Sequence, residues 1–116
     1  MKKVATILAN GFEEIEAITP IDLLQRAGIN VDTVSITSDN LVESARKVKI
    51  LTDKVIGEID FSEYDMFVMP GGPGTGNYFK SQLLLDNVLK FSKDTENKRV
   101  AAICAAPTVL ASLGIL

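Results

Sequence analysis

The chain reads as an α/β fold, a mainly parallel central sheet sandwiched between layers of helices. Three observations predict it. Apolar, strand-like runs at Lys3–Ala9, Asn30–Thr37, Tyr64–Met69 and before Cys104 alternate with helical patterns, and such alternation builds a parallel sheet. The run Val100-Ala101-Ala102-Ile103 is continuously apolar, as strands buried on both faces are. The segment Pro70-Gly71-Gly72-Pro73-Gly74-Thr75-Gly76 follows a strand, where a loop at the sheet edge belongs. A length of 116 residues suits one domain.

Each element has its own signal. The first strand spans about Lys3–Ala9. A helix follows over Glu13–Ala27 and stops at Gly28, a favoured residue just past a helix end. Pro20 lies inside that pattern, where it cannot donate to the carbonyl of residue 16 and should kink the helix. The second strand, Asn30–Thr37, runs into the turn cluster Ser38-Asp39-Asn40. Leu41–Ser44 and Val48–Leu51 read as two short strands, a hairpin set apart from the main sheet. Tyr64–Met69 leads into the glycine loop. An amphipathic helix covers Ser81–Asp94, with Leu84, Leu85, Val88, Leu89 and Phe91 at helical spacing. After the Cys104 strand, a last helix covers Pro107–Leu113, and Pro107 suits its first turn, where a missing N–H goes unused.

Composition excludes several function classes. A net charge of −3 argues against binding nucleic acid or an anionic membrane surface. No apolar run reaches the roughly 20 residues that span a bilayer. The basic, apolar start is followed directly by Asn10-Gly11-Phe12-Glu13-Glu14, where a secretory signal would need a small-residue cleavage site. One cysteine allows no internal disulfide, so a reducing cytoplasm is the simplest home. The chain has no histidine, which removes any Cys–His dyad and any histidine-ligated metal site from these residues.

Ligands of open α/β sheets bind outside the carboxyl ends of the strands. Three features fall at that edge: Asn10–Glu16, the glycine loop, and Cys104. A lone cysteine is most often a small buried hydrophobe. Cys104 differs because its strand-to-helix turn aims the thiol at the positive end of a helix dipole, which favours the nucleophilic thiolate. Glu13 and Glu14 read as dipole-complementing surface acids. Glu16 lies one turn further in, and a carboxylic acid held beside a thiolate serves as general acid or base where no histidine exists. Gly71 and Gly72 read either as a plain turn or as backbone N–H donors aimed at an oxyanion beside the sulfur. Asn77-Tyr78 stands where a phosphate loop needs Lys and Ser/Thr, so nucleotide binding ranks last. Arg26 and Arg46 read as ordinary surface arginines.

Together, Leu8-Ala9-Asn10-Gly11-Phe12-Glu13-Glu14-Ile15-Glu16, Met69-Pro70-Gly71-Gly72-Pro73-Gly74 and Ala102-Ile103-Cys104-Ala105-Ala106-Pro107 resemble the ThiJ/PfpI superfamily, and within it the DJ-one-like branch of protein deglycases. The resemblance is collinear over the whole chain. It implies a flavodoxin-like three-layer sandwich that forms homodimers and uses no cofactor. It implies Cys104 as nucleophile and oxidation site, Glu16 as the acid hydrogen-bonded to the sulfur, and Gly72 and Ala105 as backbone donors. Arg26 and Arg46 match arginines near the pocket or the dimer interface. Chains of this type continue past residue 116 and carry a histidine there. Residues 1–116 are therefore expected to be one such domain, incomplete at its C-terminus, with the open edge of the Cys104 strand covered by further chain or a partner.

The activity implied is glutathione-independent conversion of methylglyoxal to lactate, or repair of early methylglyoxal adducts. Two other readings stand beside it. One is a non-enzymatic redox sensor or chaperone in which Cys104 is oxidised to sulfinate. The other is a cysteine amidase or protease of the wider superfamily, which requires a histidine base.

Overall fold

The structure is a computed structural model and describes residues 2–116. In chain order the elements are β1 (Lys3–Leu8), α1 (Glu14–Arg26), β2 (Asn30–Ser35), β3 (Leu41–Glu43), β4 (Lys49–Leu51), β5 (Lys54–Val55), β6 (Met66–Met69), α2 (Gln82–Lys93), β7 (Arg99–Ala102) and α3 (Pro107–Ser112). Strand order in the main sheet is β5-β2-β1-β6-β7, and every pairing is parallel. The chain winds one way from β1 to β2 and the other way to β6. The reversal therefore falls between the carboxyl ends of β1 and β6, where a ligand crevice is expected. β3 and β4 pair antiparallel in a separate sheet, the hairpin that the sequence predicts.

Alternation along the strands builds two cores. On one face Val4, Val31 and Val68 pack with Ile21 and Leu24 of α1, while Leu8 meets Phe12, Ala17 and Val42. On the other, Ala5, Ile7, Val34, Phe67 and Met69 pack with Leu84, Val88 and Phe91 of α2 and with Val109 and Leu110 of α3. Phe67 and Phe91 stack at 4.1 Å, a pairing that adds about 1 kcal/mol beyond burial. The result is the three-layer α/β sandwich with a parallel sheet that the sequence predicts.

Helix ends follow local chemistry. The Glu13 carboxylate accepts from Ile15 N at the start of α1, and the Ser81 hydroxyl accepts from Leu84 N at the start of α2; caps of this kind contribute about 1 kcal/mol. Gly28, at φ +83°, closes α1 with Ile29 N donating to Leu24 O, a wrap that needs the left-handed region. α1 continues through Pro20 as one element.

Three differences from the sequence reading have physical causes. β5, two residues long, joins the outer edge of β2 and is too short to leave a periodic signal. The glycine loop does not stay a loop: Pro73–Lys80 is a 3-10 helix that buries Gly74, Thr75 and Tyr78. β7 is not buried on both faces. It stands at the sheet's edge, and Val100 and Ala102 on the α2 side and Ala101 on the α1 side are each only half-buried.

Candidate active site

The site forms where β1, β6 and β7 end. After β1 the chain turns at Gly11 (φ +86°), and Phe12 N donates to Ala9 O. The Glu13 N–H donates to Gly71 O at 3.0 Å, which docks the start of α1 on the loop after β6. One turn into the helix, Glu16 points back at the same loop, and its Oε1 accepts from Gly71 N at 2.9 Å.

Gly71 is the meeting point of the three sequence features. A Cβ there would stand 2.7 Å from Ile103 O, 2.9 Å from Ala105 N and 2.9 Å from Glu16 Oε1. Only glycine lets the Cys104 turn and the Glu16 carboxylate approach this closely. Gly72 (φ +103°) carries the chain under Glu13, where a Cβ would lie 2.7 Å from Glu13 N.

Cys104 sits on the turn from β7 to α3 at φ +61°, and the residue is exposed. A non-glycine residue held there stores about 1–3 kcal/mol of strain. The turn is fixed from both sides: Ile103 N donates to Met69 O, Ala106 N to Ile103 O, and the Thr108 hydroxyl to Ala105 O. α3 has six residues, less than two helical turns, so few aligned peptides face the sulfur. The nearer electrostatic asset is the exposed backbone. Among the described residues no backbone carbonyl takes up the N–H of Gly72, Cys104 or Ala105.

Two expectations need correction. The Gly71 N–H, expected to face an oxyanion, is engaged by Glu16. The hydrogen bond expected from Glu16 to the sulfur is not formed among the described residues; Glu16 reaches the Cys104 turn through Gly71. Arg26 is exposed at the end of α1 and pairs with Asp22, one turn back, at 2.9 Å. Arg46 lies on the β3–β4 turn. Its backbone N–H and the Ser44 hydroxyl both donate to Glu14 Oε2, at 3.0 and 2.7 Å. The Ser44 hydroxyl foremost, helped by the Arg46 backbone and charge, holds the Glu14 carboxyl below its usual range. Glu14, read from sequence as a solvated acid, is thus a tether between α1 and the hairpin.

Sequence reasoning also missed Tyr78. Its buried hydroxyl donates toward Ile7 O and Pro70 O, both at 2.9 Å. The signal was Pro70 itself, a residue without an N–H where the chain leaves a central strand.

A cavity of about 530 Å³ opens among Gly11, Ser44, Lys47 and Pro73 and includes neither Cys104 nor Glu16. A more apolar groove of about 390 Å³ has Glu16 in its wall. Pro20 and Leu23 of α1 form one side, and Val68, Ala101 and Ile103 the other. No group of three or more His, Cys, Asp or Glu among the described residues is placed to hold a metal ion.

The comparisons with known proteins agree with this fold. The family model for the DJ-1/PfpI family matches residues 2–116. The chain is 39% identical to protein dj-1beta of Drosophila melanogaster over 114 residues, covering 98% of this chain and 60% of that one. It is 36% identical to the Parkinson disease protein 7 homolog of Danio rerio, covering 98% of this chain and 60% of the relative. Oxidized DJ-1 of Toxoplasma gondii superposes with a TM-score of 0.91 at 36% identity, over 100% of this chain and 63% of that one. This chain spans about three fifths of the length of these relatives. With a parallel sandwich and a cysteine turn of this kind, and a family match over virtually its full length, the chain belongs to the DJ-1/PfpI family.

Proposed function

We propose that this chain carries the nucleophilic half of a cofactor-free, glutathione-independent glyoxalase or deglycase acting on α-oxoaldehydes or their adducts. The observation that supports it most is the exposed Cys104 at φ +61°, joined through Gly71 to the Glu16 carboxylate. The thiolate adds to the aldehyde carbon of methylglyoxal, and the new alkoxide takes up a proton to give a hemithioacetal. The N–H groups of Gly72 and Ala105 suit the developing oxyanion. Glu16 removes the proton from the former aldehyde carbon and returns it to the former ketone carbon, while the hydroxyl proton passes from the former aldehyde oxygen to the former ketone oxygen, which leaves a thioester of lactate. Water hydrolyses the thioester, releasing lactate and the thiolate. The sum is methylglyoxal plus water giving lactate and a proton.

The test is lactate formation from methylglyoxal without glutathione, comparing this chain with Cys104→Ser. Lactate from the parent chain and none from the variant is the expected result. Equal lactate from both would remove Cys104 from the chemistry.

A second reading is a redox sensor, favoured by the exposure of the strained residue; Cys104 would be oxidised to sulfinate by peroxide. The protease reading draws on a Bacillus subtilis relative described as a putative cysteine protease, 33% identical over 119 residues. The 116 residues supply no histidine base for it. A homodimer is proposed for the chain whichever reading holds, since Ile15 and Ile18 of α1 and Val48 and Leu51 of the hairpin are exposed, with Arg46 nearby on that hairpin. No described helix is long and apolar enough to cross a membrane, and the cytoplasm is the proposed location.

A further inference from the structure

The peptide between Pro70 and Gly71 is gripped at both ends. Its N–H donates to Glu16 Oε1 at 2.9 Å. Its carbonyl oxygen accepts from the Tyr78 hydroxyl at 2.9 Å. A peptide unit is planar and stiff, so holding the carbonyl on one side sets the direction of the N–H on the other. We propose that Tyr78 is a positioning residue for Glu16: its hydroxyl orients and polarises the Pro70–Gly71 peptide, so that the Gly71 N–H holds the carboxylate against the Cys104 turn. The catalytic consequence rests on the reading of Glu16 as the acid–base group; the structural claim does not.

The β1–β6 ladder explains why a hydroxyl is needed at this place. Its register pairs Thr6 with Val68, so the next donor owed to the Ile7 carbonyl falls on residue 70. Residue 70 is a proline and has no N–H. Tyr78 reaches in from the 3-10 helix, and its hydroxyl lies 2.9 Å from Ile7 O as well as from Pro70 O. One proton serves both carbonyls. It closes the end of the ladder and fixes the first peptide of the site in a single contact.

Two further facts fit this role. Tyr78 is 1% exposed, and burial pushes its hydroxyl well above the usual tyrosine range, with the Glu16 charge adding to the push. The phenol therefore stays protonated and acts as a donor. Hydrogen bonds in series strengthen one another, and the series here runs from Tyr78 through the peptide to Glu16.

A plain structural role is the rival, in which the hydroxyl only completes the ladder at Ile7. The experiment reads the Gly71 amide by NMR in the isotopically labelled chain. In Tyr78→Phe, which keeps the ring, the Gly71 amide proton is expected to move upfield and exchange faster. In a Glu16→Ala background the same substitution is expected to give a clearly smaller shift, since contacts that act as a unit are not additive. A 3-fluorotyrosine at position 78, a stronger donor of nearly the same shape, is expected to move the signal downfield; it decides the matter should the Phe variant not fold. In turnover, Tyr78→Phe is expected to lower kcat about fivefold, the effect of one neutral hydrogen bond, with KM unchanged. A Gly71 amide unmoved by either substitution, or moved equally with and without the Glu16 carboxylate, overturns the proposal. Absence of lactate from the parent chain would count against the glyoxalase reading alone, because the amide shifts still decide the positioning role.

Discussion

Gly74→Ala is expected to lower the stability of the chain by at least about 3 kcal/mol, at or above the upper end for one added methyl group in a packed site. A Cβ at Gly74 would stand 1.9 Å from Asn10 O and 2.8 Å from Asn10 C and Gly11 C. All three are backbone atoms, so no side-chain rotation relieves the clash. Gly74 N also donates to Gly11 O at 2.9 Å, and the Asn77 side chain donates to Asn10 O at 2.9 Å. The added methyl would therefore part the 3-10 helix from the loop that carries α1 and Glu16. Gly76→Ala is the matched control. It lies in the same 3-10 helix, has no positive φ, and leaves a methyl group with no neighbour within 4 Å. It should change stability by less than about 1 kcal/mol, on the stabilising side. Urea unfolding of both variants checks this, and similar midpoints would contradict the packing account.

Glu16→Gln is expected to lower kcat for lactate formation by about 10²–10⁴-fold while KM changes little, the effect of removing a general acid–base group. Glutamine keeps an oxygen that accepts from Gly71 N, so the loop should hold its shape while proton transfer is lost. Glu16→Asp retains the acid but is one methylene shorter, which draws it away from Gly71 N, now at 2.9 Å. It should fall between the two. A Glu16→Gln chain that keeps kcat within tenfold would remove Glu16 from the proton transfers.

Much of the fold was legible because it is written in periodicity and punctuation. Gly28 stops α1, Ser81 caps α2, and alternating apolar residues in β1 and β2 assign opposite faces to α1 and α2. The site was legible as a convergence of segments at one sheet edge. The routing of its hydrogen bonds was not. That Gly71 N faces Glu16 follows from how β6 ends beside β1, a tertiary matter that no local pattern encodes. The incomplete burial of β7 was hidden by its composition, since Val100-Ala101-Ala102 reads the same in a fully covered strand as in a half-covered one. Tyr78 was hidden because its partners, Ile7 and Pro70, are 71 and 8 residues away.

In the proposed reaction Cys104 attacks an α-oxoaldehyde and Glu16 carries the adduct forward. Mass spectrometry of the Glu16→Gln chain after brief exposure to methylglyoxal tests it most directly. An adduct of one methylglyoxal on Cys104 is expected, stalled because the next proton transfer has no base, and it should be absent when Cys104→Ser is added. Adducts found only on lysine and arginine side chains, with Cys104 unmodified, would contradict it.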